Sequence, residues 1–225
     1  LIGAGYRQPL AAQYGDEKLA EIIGPAEYKL SYKCRKTGRG VYTFCMCPGG
    51  EIINASTEAG SSVTNGMSDS ARDSGYANSG LLVDVRTSDF GDDHPLAGFE
   101  FQSRYERLAW EHRTSDGMAK STYGAFRSNE NDPVRNSIPA FASESILEAM
   151  PHMAHKLHGF DDESTMFCAV ESRSSSPVRV LRDESMQSPG VRGVIPAGEG
   201  PGYAGGIMSA AVDGIKAAEQ IIMLK

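Results

Sequence analysis

Alternating apolar and polar side chains in the first third of the chain predict β-strands. In "EYKLSYK" the apolar positions Tyr28, Leu30 and Tyr32 alternate with polar ones, which is typical of a half-buried strand. "VYTFCMC" and "EIINAS" flank the turn Pro48-Gly49-Gly50, so a hairpin is predicted over 41–55. The Gly-, Ser- and Asn-rich stretch that follows predicts a long polar loop over 56–80, and loops of this length are usually functional or mobile. "LLVDVR" predicts the next strand.

Apolar residues then recur with helical spacing in two places. Phe101, Tyr105 and Leu108 fall on one helical face and predict a helix over about 96–112. Ser145-x-x-Glu148 has the pattern of a capping box, so a second helix is predicted over about 143–158. Proline at 151 predicts a kink there or two short helices in succession. Between them, 114–139 is polar without clear periodicity and predicts a loop.

The last third of the chain predicts strands followed by one helix, which makes the class mixed α and β. "TMFCAVE", "VRVLR" and "VRGVIPAGE" are the predicted strands. The helix has an apolar face made of Ile207, Ala211, Ile215, Ala218 and Ile222. Gly214 inside this helix costs about 1 kcal/mol relative to Ala, and we expect a close helix–sheet contact to explain it.

Gly200-x-Gly202-x-x-Gly205 has the spacing of a dinucleotide-binding fingerprint, yet it lies close to residue 225. A Rossmann unit needs a second strand with an acidic residue about 20 positions on, whereas Glu219 lies inside the predicted helix. A simpler arrangement remains, in which a strand ends at 197–199, a glycine turn follows, and a helix begins near 205–207. Such a helix N-terminus suits phosphate or an electron-rich ring edge; glycines that only turn the chain are the alternative.

Composition and charge exclude several classes of protein. The chain has 225 residues, of which 40% are hydrophobic and 23% charged, as in ordinary globular domains. A net charge of −7 and a pI near 5.3 argue against nucleic acid or an anionic membrane surface as partner. No apolar stretch reaches the roughly 20 residues of a membrane span, and "LIGAGYRQPL" lacks the features of a secretory signal.

Cysteine usage points to a compartment and to one candidate site. The cysteines Cys34, Cys45, Cys47 and Cys168 are too few and too scattered for a secreted disulfide framework, which favours the cytoplasm. Cys45 and Cys47 stand two residues apart on a predicted strand and so share a face. They form either a thiol site close to a cofactor or two small residues packed at a tight turn.

Two further clusters have alternative interpretations. Arg173, Arg179 and Arg182 interleave with Ser174, Ser175 and Ser176. Guanidinium and hydroxyl groups suit a phosphate or a carboxylate, although a solvated turn with surface arginines is the alternative. His152, His155 and His158 follow at three-residue spacing, but His158 lies well round the helix from His152. We therefore predict no metal site there and expect surface histidines.

Longer strings of the chain resemble an uncharacterised bacterial family of FAD-dependent (NAD/FAD-utilising) dehydrogenases. The strings that carry this resemblance include "CMCPGG", "SSSPVR" and "GVIPAGEGPGYAGGIMSAAVDGIKAAEQI". The resemblance implies a substrate-type domain with a mixed sheet over 1–160. It also implies that 161–225 supplies the C-terminal strands and helix of an FAD-binding fold of the two-dinucleotide-binding type, with the closing strand-loop-helix at its end.

The resemblance also implies a cofactor and its neighbours. The cofactor is FAD, with NAD(P)H as an electron donor and a small, anionic molecule as substrate. The implied cofactor neighbours are Gly198, Glu199, Gly202, Tyr203, Gly205, Gly206 and Ile207. No catalytic residue is identified. The expected function is a portion of an FAD-dependent oxidoreductase, and the alternative is a non-catalytic substrate or interaction domain.

One feature of the family is missing from this sequence. Family members carry an N-terminal Rossmann unit whose glycine loop holds the FAD pyrophosphate. "LIGAGY" has Gly3 and Gly5, but Gln8 stands where the third glycine belongs and no strand precedes it. We therefore expect a C-terminal portion whose partner is an N-terminal FAD domain, and which alone binds FAD weakly or not at all. An exposed docking surface would favour homo-oligomers.

Overall fold

The computed structural model describes residues 1–223, which form two compact units. Unit 1 comprises Leu1–Arg86 and Gln102–Ser172, and unit 2 comprises Thr87–Phe101 and the chain from Arg173 onward. The division near residue 172 differs from the one expected at 160. The reason is that the strand Met166–Glu171 pairs within the sheet of unit 1.

The strands of unit 1 form two antiparallel sheets, and the mixed α+β class is confirmed. They are β1 (Ile2–Pro9), β2 (Ser31–Lys33), β3 (Gly40–Pro48), β4 (Gly50–Asn54), β5 (Thr64–Ser68), β6 (Tyr76–Val83), β7 (Ala119–Thr122) and β8 (Met166–Glu171). Six of them make one sheet in the order β2-β3-β6-β1-β8-β7, and β4 pairs with β5 in a second sheet. Every pairing is antiparallel.

The strands predicted for the hairpin over 41–55 exist, but the hairpin is wrong. β3 pairs with β2 and β6, whereas β4 pairs with β5. Gly49 has a φ of 60°, and the turn there directs the chain from one sheet into the other. The pattern of alternation located the strands but contains no information about their partners.

Two segments predicted as loops contain regular structure. The stretch 56–80 holds β5 and most of β6, whose Ala77, Asn78, Ser79 and Gly80 are buried although they are small or polar. The stretch 114–139 holds β7 and the short helices α4 (Tyr123–Ser128) and α5 (Pro133–Asn136). The side chains of Thr122 and Asp132 cap these two helices. Elements this short have no detectable periodicity, so their caps were the only sequence signal.

The glycines of "LIGAGY" lie in β1, in the middle of the six-stranded sheet. A Cβ on Gly3 would stand 1.9 Å from Leu81 O, and one on Gly5 would stand 3.1 Å from the Ile52 side chain of β4. The glycines therefore let the second sheet and the neighbouring strand approach β1 closely. This is a structural role rather than a phosphate-binding loop.

Aromatic side chains form the core of unit 1. Tyr6 is fully buried, stacks on Phe160 with ring centroids 4.3 Å apart, and donates its hydroxyl hydrogen to Phe160 O at 2.9 Å. Phe167 contacts Tyr6, and its centroid lies 5.1 Å from that of Phe126. Such aromatic pairs contribute about 1 kcal/mol each beyond the area that they bury.

The two long helices predicted in this region are present. α3 (Ala97–Glu111) matches the predicted 96–112, and α6 (Ala140–Ala154) begins and ends earlier than the predicted 143–158. The remaining elements are α1 (Leu10–Tyr14), α2 (Glu17–Ile23), α7 (Ile207–Met223) and a 3-10 turn at Thr87–Asp89.

The predicted capping box is wrong, and α6 runs through Pro151 as one helix rather than two short ones. Ser145 lies inside the helix and donates its hydroxyl hydrogen to Phe141 O at 2.7 Å, one turn earlier. Pro151 lies in the last turn, where it removes one i→i−4 hydrogen bond, and the helix ends three residues later at Ala154. Glu148 has a different set of partners, which join α6 to the loop after β2.

Unit 2 lacks the strands predicted from "VRVLR" and "VRGVIPAGE". Backbone bonds there are mainly local, such as Asp183 N to Gln187 O at 2.9 Å and Ser188 N to Val194 O at 2.8 Å, although Val180 N also donates to Pro201 O at 3.1 Å. Leu181 and Val191 are 68% and 54% exposed. A strand needs a neighbour to satisfy its backbone groups, and the described residues of unit 2 provide none.

The closing helix forms as predicted, but its apolar face is not buried. Ile207, Ile215 and Ile222 are 86%, 59% and 71% exposed, whereas Asp213 and Ala217 are buried. No heavy atom lies within 4 Å of the position of a Cβ on Gly214, so the close contact expected there is absent from the described structure.

Candidate functional site

The turn over 198–206 connects the irregular backbone of unit 2 to the N-terminus of α7. Gly198 and Gly202 have φ of 82° and 83°, in the left-handed region that favours glycine. The N–H of Tyr203 donates to Gly198 O at 3.0 Å and closes the turn. The structure brings all the predicted cofactor neighbours into this turn or to the first residue of α7: Gly198, Glu199, Gly202, Tyr203, Gly205, Gly206 and Ile207.

The turn is not closed by side chains of its own unit. No heavy atom lies within 4 Å of a Cβ built on Gly200 or Gly205, and at Gly206 the nearest is Ser209 Oγ at 4.0 Å. The first amides of a helix have no carbonyl partner one turn earlier. α7 is 17 residues long and has no acidic residue in its first turn, so its positive dipole end is unopposed there. The turn can accept an anionic or electron-rich group.

A charged pair joins the turn to the helix. Asp213 Oδ1 accepts from Arg182 Nη2 at 2.7 Å, and its Oδ2 accepts from Arg182 Nη1 at 2.9 Å. The same Oδ2 accepts the backbone N–H of Gly198 at 2.9 Å. The Arg182 guanidinium, followed by the Gly198 amide, lowers the pKa of Asp213 to about 2. This carboxylate therefore stays ionised throughout the physiological range.

Arg179 also contacts the turn. Nε and Nη2 of Arg179 donate to Gly202 O at 3.2 and 2.9 Å, and the guanidinium carbon lies 4.9 Å from the centroid of the Tyr203 ring. Arg173 is exposed at the start of this segment. Arg179 and Arg182 thus bind groups of the protein itself, whereas the sequence suggested that they bind the phosphate or carboxylate of a ligand.

Unit 2 also contains an open groove of about 530 Å³. Its lining includes Phe90, Asp92, His94, Pro177 and Arg179. A ring, a carboxylate and a guanidinium therefore face one space, next to a residue that contacts the turn. This groove is the candidate place for a small molecule within unit 2.

The two neighbouring cysteines do not share a face, contrary to the prediction. A bulge shifts the register of β3 between Phe44 and Cys47, and Cys45 has a φ of 48°. Cys45 is exposed, whereas Cys47 is half-buried and donates its thiol hydrogen to Cys45 O at 3.2 Å. Burial raises the pKa of the Cys47 thiol, which makes it a poorer nucleophile.

The histidines of α6 and the segment after it contact other protein groups, and the ring centroids of His152 and His155 lie 6.2 Å apart. His152 stacks on Tyr32 with centroids 4.4 Å apart, and His158 Nδ1 hydrogen-bonds with Ala12 O at 3.1 Å. Within the described residues, no three His, Cys, Asp or Glu side chains are grouped so that they could hold a metal ion. None of the helices over 1–223 combines the length and the apolar character that crossing a membrane requires.

Sequence reasoning missed the buried carboxyl groups, among them Asp213 and Glu171. Glu171 is 9% exposed at the end of β8 and accepts from Thr64 Oγ1 at 3.4 Å. Burial raises its pKa to about 7. Its only signal in the sequence is an acidic residue that directly follows the apolar run "MFCAV".

Two comparisons with known proteins bear on this chain. The family described as "FAD-dependent protein, C-terminal domain-like" matches residues 10–133. A protein of Clostridium beijerinckii described as "Uncharacterized protein" is 39% identical over 228 residues, which are 93% of this chain and 43% of the relative. The chain thus spans less than half of that relative's length, and the glycine turn lies outside the region matched to the family.

Proposed function

Because the chain belongs to the family of FAD-dependent proteins with this C-terminal type of domain, we propose that it is the C-terminal portion of an FAD-dependent oxidoreductase. FAD would supply the hydride or electron chemistry, while the protein binds and orients it. The observation that carries the proposal is the open glycine turn at the N-terminus of α7.

The turn fits one part of a flavin. A ring edge or phosphate can approach Gly200 and Gly205 to contact distance, because no atom stands where their side chains would be. Amides at 205–207 would stabilise negative charge on that group through the helix dipole. Glu199, on the same turn, would accept a hydrogen bond from a ligand hydroxyl. The remaining contacts to FAD would come from an N-terminal FAD domain.

The substrate and the electron donor form the finer part of the proposal. A small, anionic molecule is the proposed substrate, and it would bind in the groove lined by Phe90, Asp92 and Arg179. NAD(P)H is the proposed source of electrons. The small number and wide scatter of the cysteines in the sequence support the cytoplasm as the proposed compartment.

Flavin titration tests the proposal. We expect FAD at high concentration to raise the melting temperature of the purified chain only slightly, because the chain alone holds part of the site, and a flavin spectrum to accompany the longer Clostridium relative. Gly205→Val should weaken FAD binding about tenfold without changing the fold, because its side chain fills open space at the turn. Ala218→Val also introduces an exposed valine, further along α7, and should leave binding unchanged. The proposal fails if neither the chain nor the relative binds flavin.

The exposed face of α7 favours a second candidate, a module that docks on another domain. Ile207, Ile215 and Ile222 are all more than half exposed, and such patches mark interaction surfaces. The chain matches only 43% of its relative, so we propose an FAD domain outside this chain as the occupant.

Solution size tests the docking surface. Without its partner, the face should cause concentration-dependent self-association in sedimentation velocity. The double variant Ile215→Gln/Ile222→Gln should abolish this self-association, whereas Lys216→Gln on the same helix should not. A monodisperse monomer at every concentration would rule the docking surface out while leaving the flavin titration unaffected.

A further inference from the structure

A carboxylate occupies the buried position of an otherwise exposed helix. Among the described residues of α7, only Asp213 and Ala217 are buried. Hydrophobic packing would place one of the isoleucines there, but these are exposed. The helix is therefore attached to unit 2 largely through a polar contact.

Both oxygens of the Asp213 carboxylate accept hydrogen bonds from Arg182, and one of them also accepts from the backbone of the turn. Asp213 Oδ2 accepts the backbone N–H of Gly198, in the first half of the turn, at 2.9 Å. Arg182 Nη1 donates both to Asp213 Oδ2 and to Pro196 O, each at 2.9 Å. One ion pair thus ties α7 to the backbone on both sides of Ala197.

A second contact holds the other half of the turn. Arg179 donates two hydrogen bonds to Gly202 O, and Tyr203 donates its hydroxyl hydrogen to Val180 O at 3.0 Å. The Arg182 guanidinium carbon lies 3.6 Å from the centroid of the Tyr203 ring, a cation–π contact. The turn is held at 196, 198 and 202, while Gly205 stays clear of neighbouring atoms.

We propose that Arg179, Arg182 and Asp213 are positioning residues that hold the glycine turn in its open form before any ligand binds. This inference rests on the proposed function only for the identity of the ligand. A turn ordered in advance loses less conformational entropy on binding, so these residues would raise flavin affinity without touching the flavin.

Amide exchange of the ligand-free chain tests the proposal directly. In Asp213→Asn and Arg182→Lys, we expect the amides of 198–200, 202 and 203 to exchange about tenfold faster, with unit 1 unchanged. The matched control is Asp183→Asn, because Asp183 bonds only within its own local turn through Ser185 and Gln187. Arg182→Lys keeps the positive charge but loses the bidentate geometry. It therefore serves as the milder variant if Asp213→Asn unfolds unit 2 as a whole.

The outcomes are separable from those of the proposed function. Unchanged exchange at 198–203 in both variants overturns the inference, whatever the flavin affinity. Faster exchange with unchanged FAD affinity also overturns it, because the residues would then be purely structural. If the wild-type chain and its longer relative bind no flavin, the proposed function fails, and the exchange experiment alone decides whether the turn is held in advance.

Discussion

Glu171 shows how burial changes the chemistry of a single residue. Its carboxyl group lies between the two sheets of unit 1, close to Gly80, with Thr64 as a hydrogen-bond donor. Removal from water disfavours the charged form and raises the pKa to about 7. The folded protein therefore holds a proton near neutral pH that the unfolded chain releases.

The first prediction concerns the pH dependence of unit 1. The pKa of Glu171 is about 7 in the folded protein and about 4.5 in the unfolded chain. Its contribution to the free energy of unfolding is therefore fully present below about pH 4.5 and is lost as the pH rises through about 7. We expect the free energy of unfolding, followed by Trp110 fluorescence, to fall by about 2–3 kcal/mol between pH 5 and pH 8. Glu171→Gln should flatten this fall, whereas Glu130→Gln on the surface should not. An unchanged slope in Glu171→Gln would contradict the assignment.

Glu148 has the opposite shift. Its carboxylate accepts from Arg35 N at 2.6 Å and from Tyr32 Oη at 2.9 Å, and the backbone N–H of Arg35 is the main cause that lowers the pKa to about 2. We expect Glu148→Gln to destabilise unit 1 by about 1 kcal/mol at neutral pH. That difference should disappear as pH falls from about 4.5 to 2, as measured by urea denaturation. A difference that persists at low pH would contradict the role of the charge.

At the scale of the element, the glycines of β1 differ in what surrounds them. A Cβ on Gly3 meets the backbone of β6, whereas one on Gly5 meets the end of the Ile52 side chain, which can move. We expect Gly3→Ala to cost about 3 kcal/mol and Gly5→Ala less than about 1 kcal/mol, as measured by chemical denaturation. Equal costs, or loss of flavin binding without loss of stability, would contradict the packing role.

In contrast to Gly3, Gly214 in α7 is expected to be stabilising when replaced by Ala. No atom lies near its would-be Cβ, so Ala at this position removes backbone entropy from the unfolded state without a clash. We expect Gly214→Ala to stabilise the helix by about 1 kcal/mol, seen as roughly fivefold slower amide exchange in α7. Ala218→Gly is the opposite control. Faster exchange in Gly214→Ala would show that the glycine has a close neighbour.

At the scale of the whole molecule, the two units differ in how much apolar surface each buries. Of the buried hydrophobic side chains within residues 1–223, only Ala97, Phe101, Met186 and Ala217 lie in unit 2. We expect trypsin to cleave first within 173–206, before Trp110 fluorescence reports any change in unit 1. Simultaneous loss of both units would contradict this order. FAD should protect 173–206 and leave unit 1 unaffected.

Much of the molecule could be predicted from local pattern. The strands β3, β4 and β8, the helices α3 and α7, and the mixed class follow from periodicity, which arises from one side of an element facing a core. The open glycine turn was also recognisable, because glycine spacing before an apolar helix reflects backbone conformations that other residues avoid. The family was recognisable from strings such as "CMCPGG", and the comparison confirms it.

Pairing, burial and charge state were decided by the tertiary structure. β3 and β4 look like a hairpin but join different sheets, since alternation describes faces and not partners. β6 is central because small residues let two sheets meet, although such residues resemble a loop. The pKa of Glu171 and the partners of Arg182 depend on groups far away in sequence. Local pattern therefore specifies what each segment is, and only three-dimensional contact specifies what it binds.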